Sequence, residues 1–301
     1  MTSASQVVNC LETLRSVIAW ALLASVRKLP PEFVNPCTRE LIGNLPAKDP
    51  LRKVVLTIDR RIEIVRTMDD WQICNLAILL VMPLRFEDLA RALISDVNLG
   101  EQTLQLGTKF GGSDFSKSKV NVVLPLPDQL MTVIGKAIDG RPDGPLFRSR
   151  QSRKGSRRRR LSVPQNRMEV EQAFGEMLAA QKPGDVLTDH DRKQVFRELM
   201  RKLGGITEDA IGKEMKGLFT RIGLGPGIRP YDLRGAVTTD LKNAGIAHLE
   251  LRYLTGHSTN DILNEYTGVD PQREIQKHFT ACRPLLDAIE ERFGEMGFAT
   301  S

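Results

Sequence analysis

The chain has 301 residues, enough for one large domain and a smaller one, with a formal net charge of +6 and a pI of about 9.2. Hydrophobic residues make up 41% and charged residues 27%, which is typical of a folded globular protein and excludes a disordered chain. The longest apolar run, residues 73–84, is shorter than the roughly 20 residues that cross a bilayer. The N-terminus also lacks the pattern of a signal peptide, so we expect a cytoplasmic protein.

The cysteines are scattered along the chain, at Cys10, Cys37, Cys74 and Cys282. None of them forms a C-x-x-C pair. Neither a disulfide framework nor a zinc site is indicated, and we expect reduced, mostly buried thiols.

The first part of the chain predicts one helix and a linker. Apolar residues recur at three- and four-residue steps over residues 6–27, and prolines and Asn35 then interrupt the pattern up to residue 36. Pro46 and Pro50 indicate a linker. We therefore place a boundary near residue 48, which separates a partial helical segment (1–47) from a larger domain (48–301).

The larger domain is expected to combine helices with a small sheet. Residues 67–70 have the character of a capping box, and an apolar helix is predicted from there to about Leu84. Two strands are predicted at 103–106 and 120–124, joined by a long glycine-containing connection. The resulting class is α+β and mainly helical.

The second half predicts mostly helices. Their expected ranges are 164–181, 190–203, 208–221, 232–244, 248–255, 261–266, and a tail over 273–293 that is divided at Pro284. The apolar stripe of the tail packs either on its own domain or on a neighbour. Asp189-His190-Asp191 is better explained by a capping box between Thr188 and Asp191 than by a metal site.

Basic residues are concentrated in one segment, residues 148–160, which we expect to be a loop. It contains Arg148, Arg150, Arg153, Lys154, Arg157, Arg158, Arg159 and Arg160. Such a segment attracts polyanions, so it is a candidate for contacts with DNA phosphates, which would make the affinity depend on salt. A solvated loop with no specific partner is the alternative.

The most informative segment runs from residue 230 to residue 266. It contains Pro230-Tyr-Asp-Leu-Arg234, Leu254-Thr-Gly-His257 and Asn264-Glu-Tyr266. Arg234 precedes His257 by 23 residues, and Tyr266 follows His257 by nine. This pattern resembles the H-x-x-R, L-x-G-H and tyrosine signature of the tyrosine recombinases, also called phage integrases. Singly, these residues are explained by a surface arginine, a buried histidine or a core tyrosine; their joint order and spacing favour the family.

Upstream passages extend the resemblance to residues 48–270. Met82-Pro-Leu-Arg85-Phe-Glu-Asp88-Leu89 is similar to the passage with the family's first arginine, and Leu106-Gly-Thr-Lys109 lies where the family has a lysine. Val122-Val-Leu-Pro125 matches the strand that returns from this hairpin. The resemblance implies the tyrosine-recombinase catalytic fold, in which helices surround a small antiparallel sheet. Lys117 and Lys119 lie in the same hairpin and are alternatives to Lys109.

The resemblance also implies a reaction. Tyr266 would attack a DNA phosphate and form a 3′-phosphotyrosine, while Arg85, Arg234 and His257 bind the phosphate oxygens. Lys109 would protonate the departing 5′-oxygen. Asp88 is expected to brace this group through a salt bridge to Arg85, three residues earlier. The implied partner is double-stranded DNA bound by a homotetramer, and no cofactor or metal is implied.

Two departures from the family pattern bear on activity. Tyr231 stands where H-x-x-R has its histidine; a phenol donates a hydrogen bond but carries protons poorly near neutral pH. Only residues 7–36 resemble the helical core-binding domain of the family, and they match its last part. The activity is therefore expected to be reduced or retuned.

Two other functions are compatible with the residues. The chain is either an active recombinase or a DNA-binding remnant that no longer cleaves, and a type IB topoisomerase would use the same chemistry without partner exchange. The residues do not identify the target sequence, nor do they distinguish integration from excision, resolution or transposition.

Overall fold

The computed structural model describes residues 4–23, 25–43, 56–107, 110, 121–150, 161–181, 187–225, 227–256 and 271–297. The chain divides into two compact units, residues 1–53 and residues 54–301. Several predictions lie outside the described residues, namely those for Lys109, Lys117, Lys119, Arg153, Lys154, Arg157, Arg158, Arg159, Arg160, His257, Tyr266 and the short helix expected at 261–266.

The first unit contains α1 (Ala4–Leu22) and α2 (Arg39–Ile42). The helix predicted for residues 6–27 is confirmed, but it ends at Leu22. The amides of Val26 and Arg27 then both bond to the carbonyl of Leu23 in a tight turn. Within this unit, the Arg15 side chain donates to the carbonyl of Cys37, which ties α1 to the segment before α2.

The second unit begins with four helices: α3 (Ile58–Thr67), α4 (Asp70–Leu76), α5 (Ile78–Val81) and α6 (Phe86–Arg91). The predicted capping box at residues 67–70 is wrong by two residues. Asp69 is the N-cap, and it forms the box with Gln72, because its carboxylate reaches the Gln72 amide while the longer Gln72 side chain reaches back. The expected apolar helix is split at Ala77.

A short 3-10 helix (Ile94–Asp96) leads into a three-stranded antiparallel sheet with the order β1-β2-β3. The strands are β1 (Val97–Asn98), β2 (Thr103–Leu106) and β3 (Val122–Pro125). Thr103 pairs with Pro125 and Leu106 with Val122, so β2 and β3 form the predicted hairpin. The prediction of β2 is confirmed, and that of β3 is confirmed with a shift of its ends.

The remaining described elements are helices. They are α7 (Asp128–Ile138), α8 (Arg167–Ala179), α9 (Asp189–Lys202), α10 (Glu208–Arg221), α11 (Asp232–Asn243), α12 (His248–Leu254), α13 (Pro271–Ala281) and α14 (Arg283–Glu295). The predicted helices are confirmed to within a few residues at each end. The capping box of Thr188 and Asp191 is confirmed as well. Among the described residues, no group of three or more His, Cys, Asp or Glu side chains is arranged to hold a metal ion.

Most of the buried side chains form one core around α4 and α5. The tail helix α14 packs on α3 and α7, and its apolar stripe is buried in this core. The stripe therefore packs on its own domain. A smaller aromatic cluster, centred on Phe110, Phe174 and Phe196, joins α8 to α9. No helix in the described part of the chain is long and apolar enough to cross a membrane.

One ion pair lies inside the main core. The guanidinium of Arg61 on α3 is fully buried, pairs with Asp240 on α11 and donates to the carbonyl of Leu80 at 2.7 Å. Burial lowers the pKa of Arg61 to about 10, which still leaves it protonated at neutral pH. This pair connects the helix that carries Arg234 to the first helices of the unit.

Candidate active site

Arg85 is held by the end of the buried α5 segment and by the start of α6. It is the N-cap of α6 with extended backbone angles, and it directly follows the buried residue Leu84. The carboxylate of Asp88 accepts a hydrogen bond from the backbone N–H of Arg85 at 2.8 Å. The contact of Asp88 is thus with the main chain of Arg85, in place of the side-chain ion pair that the spacing suggested.

Arg234 is the second arginine of the site, and the first turn of α11 carries it. Its guanidinium donates to the carbonyl of Pro83 at 2.5 Å and also to the carbonyl of Thr255. Arg85 donates from Nη2 to the carbonyl of Gly256 at 3.4 Å. Two arginines 149 positions apart in sequence are therefore brought to one place, directly before His257.

Two positive charges in close proximity dominate the electrostatics of this pocket. Burial and the neighbouring charge of Arg85 lower the pKa of Arg234. Burial also raises the pKa of the Asp88 carboxyl, while the hydrogen bond from the Arg85 amide and the charges of both arginines partly offset this effect. Paired guanidiniums in a desolvated pocket are suited to bind a phosphate anion through planar pairs of N–H donors.

The sheet forms another wall of the same cavity. Leu106 and Gly107 at the end of β2, and Val122 at the start of β3, line the cavity together with both arginines. Gly107 has φ +78°, a left-handed conformation that lets the chain turn away from β2 at this point. Lys109 follows two residues later and lies outside the described residues.

Tyr253 is a residue of this region that the sequence analysis missed. Its hydroxyl accepts a hydrogen bond from the backbone N–H of Val123 at 2.9 Å, which links α12 to β3. This contact places the segment that ends at Gly256 beside the hairpin. No local pattern in the sequence indicates it, because the two partners are 130 residues apart.

Tyr231 lies at the edge of the site. It is 54% exposed and packs edge to face against Phe86, with a distance of 6.3 Å between the ring centroids. It lines a groove of about 630 Å³ that runs beside the arginine pocket and also contains Arg85, Lys213 and Arg229. Glu87, Glu208 and Asp209 line the same groove. The position expected for the histidine of H-x-x-R therefore faces an open groove of mixed charge.

The start of the basic segment is attached to the domain. Arg150 forms ion pairs with Asp69 at 2.6 Å and with Glu214 at 2.7 Å, and its guanidinium lies 4.6 Å from the ring centroid of Trp71. The backbone N–H of Arg148 donates to the Asn75 side chain at 2.8 Å. The rest of the segment, from Arg153 to Arg160, lies outside the described residues.

A mainly helical domain with a small antiparallel sheet, and with two arginines meeting at the L-x-G-H segment, defines the catalytic fold of the tyrosine recombinases. The family model for the phage integrase family matches residues 55–273. The chain belongs to the phage integrase family, and it is a tyrosine recombinase that binds DNA and catalyses site-specific recombination.

Solved structures agree with this fold. A structure of the Tn1549 transposon integrase (residues 82–397, Y379F) in complex with transposon right end DNA is 16% identical and has a TM-score of 0.57. The match covers 93% of this chain and 80% of that one. The same integrase with circular intermediate DNA is 16% identical, with a TM-score of 0.53 and coverage of 94% and 78%. No curated protein sequence matches this chain.

Proposed function

We propose that the chain cleaves and rejoins DNA through a transient bond between Tyr266 and a backbone phosphate. The observation that supports the proposal is the convergence of Arg85 and Arg234 on the carbonyls of Thr255 and Gly256, directly before His257. The scissile phosphate would occupy this pocket, with its oxygens bound by the two guanidiniums and by His257.

The chemistry balances without an added energy source. The Tyr266 oxygen attacks phosphorus as its proton passes to solvent water, and the bond to the 5′-oxygen breaks. Lys109 donates a proton to the departing oxygen, so a free 5′-hydroxyl is released. Rejoining reverses these steps, and the phosphotyrosine bond conserves the energy of the phosphodiester. Asp88 supports the site by fixing the main chain of Arg85, and Tyr231 would donate a hydrogen bond to a phosphate oxygen.

DNA binding outside the pocket is assigned to the basic segment. Because Arg150 is already held by two carboxylates, the phosphate contacts are assigned to the rest of the segment: Arg148, Arg153, Lys154, Arg157, Arg158, Arg159 and Arg160. Assembly as a tetramer on DNA and a cytoplasmic location complete the proposal. Residues 1–47 would supply the last part of a helical core-binding domain.

The test uses suicide substrates, which carry a nick close to the cleavage site so that the short released strand diffuses away. Duplexes tiled across the DNA that flanks the coding sequence are incubated with the protein, and denaturant-resistant adducts are captured and sequenced. A phosphotyrosine at Tyr266, found by peptide mass spectrometry, would support the proposal. Tyr266→Phe should form no adduct, and Tyr231→Phe should retain one.

The opposite outcomes are clear. An adduct that persists in Tyr266→Phe would show that the nucleophile is wrong. DNA binding without any adduct, across sites and salt concentrations, would identify a binding remnant. Relaxation of a supercoiled plasmid that lacks a captured site would favour topoisomerase chemistry.

A further inference from the structure

Phe110 directly follows Lys109 and is one of the most enclosed aromatic residues of the second unit. It is 2% exposed, although it belongs to the connection between β2 and β3. Its ring contacts two phenylalanines that are distant in sequence: the centroid of Phe196 lies at 4.8 Å and that of Phe174 at 5.5 Å. A connection between two strands therefore places a large side chain in a helical cluster.

The cluster around Phe110 is closely packed on all sides that the helices provide. Phe174 on α8 and Phe196 on α9 also contact each other, with centroids 5.8 Å apart and planes at 85°. All three pairs have edge-like geometry, which adds to the stabilisation from burial. Val170 and Leu199 are fully buried in the same cluster. The ring of Phe110 is thus enclosed by side chains from both helices.

A charged side chain also lies over the ring of Phe110. The guanidinium of Arg167, at the start of α8, lies 5.6 Å from the centroid of the ring. Arg167 is itself held by Asp96 at 2.8 Å, and Asp96 accepts from the backbone N–H of Leu93. These contacts connect α8 to the segment that leads from α6 into the sheet.

The cluster adjoins the arginine pocket. Phe110 and Phe196 line a small cavity of about 40 Å³ together with Asp88 and Gly107. Asp88 and Gly107 also line the cavity that contains Arg85 and Arg234. The two cavities therefore share a wall, and Phe110 is separated from the catalytic arginines by that wall.

Two described residues bracket the start of this connection, Gly107 and Phe110. Gly107 lies at the arginine pocket, and only two residues connect it to Phe110. Consecutive Cα atoms are about 3.8 Å apart, so the Cα of Lys109 lies about that far from the Cα of Phe110. The buried side chain of Phe110 thus anchors this connection one residue after Lys109 in the sequence.

We propose that Phe110 is the positioning residue of the general acid: its burial between α8 and α9 anchors the connection that carries Lys109. The proposal rests on the proposed function, in which Lys109 protonates the departing 5′-oxygen. The helices α8 and α9 then have a role in catalysis, because their buried side chains enclose Phe110. A merely structural role for Phe110 would lower stability and slow all substrates alike.

The test separates proton donation from every other step. A 5′-bridging phosphorothiolate replaces the departing oxygen by sulfur, and the thiol product has a pKa near 8.5, so departure needs no acid. Adduct formation is measured in single-turnover assays on matched duplexes that carry the captured cleavage site, with oxygen or sulfur at the bridging position. Phe110→Ala, Phe110→Leu and Lys109→Ala are compared with the wild type.

We expect Phe110→Ala to slow adduct formation about 100-fold on the phosphodiester, the lower range for loss of a general acid, and by less than about threefold on the phosphorothiolate. Lys109→Ala should show the same selectivity. Phe110→Leu keeps an apolar anchor and should restore most of the rate. Phe293→Ala truncates a buried ring on α14, in the main core, and controls for stability. It should lower the melting temperature without any preference between substrates.

Three results would overturn the proposal: wild-type rates in folded Phe110→Ala, an equal loss on both substrates, or a selective loss that Lys109→Ala does not share. In each of these cases the wild type still forms its adduct, so cleavage by Tyr266 stands; the third result also removes Lys109 as the general acid. If the wild type forms no adduct on either substrate, the proposed function fails, and the role of Phe110 fails with it.

Discussion

The carboxylate of Asp88 accepts a hydrogen bond from the backbone N–H of Arg85 at 2.8 Å, and this contact fixes the main chain of the first arginine of the candidate site. Asp88 is therefore coupled to the site through the backbone. An asparagine at this position would preserve the acceptor and remove the charge.

The first prediction concerns the pH dependence of stability. Burial raises the pKa of Asp88 above its ordinary value of 3.8, so the folded chain binds this proton more tightly than the unfolded chain. The cost of the buried charge is absent below that value, grows as the pH rises above it, and levels off once the pH has passed the raised pKa. Relative to Asp88→Asn, the wild type should thus lose stability in urea unfolding as the pH rises above about 3.8. A constant difference would contradict the assignment.

The second prediction concerns Arg234. Lysine cannot donate to the carbonyls of Pro83 and Thr255 and still present a planar pair of N–H groups to phosphate. Arg234→Lys should slow adduct formation by about 10²- to 10³-fold. Arg283→Lys, at an exposed pair with Asp287, serves as the matched control and should remain within about twofold, as expected for a surface pair. A near-normal rate of adduct formation in Arg234→Lys would show that Arg234 does not bind the scissile phosphate.

The third prediction concerns Tyr231. Because this side chain is 54% exposed, substitution should change stability by less than about 0.5 kcal/mol. Tyr231→His restores an imidazole and should raise the rate, with a new pH dependence near pH 6.5. Tyr231→Phe removes the hydroxyl donor and should lower the rate by about tenfold. Identical rates in all three proteins would show that this position takes no part.

The fourth prediction separates Arg150 from the rest of the basic segment. Arg150→Ala removes ion pairs with Asp69 and Glu214, so it should lower the free energy of unfolding by about 1 kcal/mol. It should barely change the salt dependence of DNA binding. Arg153→Ala, the comparison variant, should reduce the slope of log affinity against log salt by about 1. Equal changes of slope in both variants would show that Arg150 contacts DNA phosphates as Arg153 does.

The fifth prediction concerns the buried ion pair. Asp240→Ala leaves the fully buried guanidinium of Arg61 uncompensated, and it should lower the free energy of unfolding by about 3–5 kcal/mol. Asp287→Ala removes an exposed partner of Arg283 and should cost less than about 1 kcal/mol. Denaturant titration measures both. Equal costs would mean that the pair is solvated in solution.

Local features of the fold were predictable from the sequence. The ranges of β2 and α10 follow from alternation, from helical periodicity and from caps such as Thr207, all of which act within a few residues. The capping box at the start of α4 was placed two residues too early for a local reason as well. Thr67 and Asp69 are both good caps, and only the geometry after α3 selects Asp69.

The candidate site was predictable as a set of residues but not as an arrangement. Arg85, Arg234 and the segment before His257 were recognised from motifs and spacing. Their meeting point depends on packing: the carbonyls of Pro83, Thr255 and Gly256 come together only when α5, α11 and α12 are placed by the core.

The sequence by itself thus determined the family, the chemical groups and the approximate ranges of β2, β3 and most of the helices, because these depend on residue identity and short-range spacing; α3, α6, α7 and β1 were not predicted. Only the tertiary structure decided that Asp88 binds the main chain of Arg85, that Arg150 faces Glu214, and that Phe110 enters the cluster of α8 and α9. Each of the last two contacts joins residues more than 60 positions apart, and periodicity contains no information about such distances.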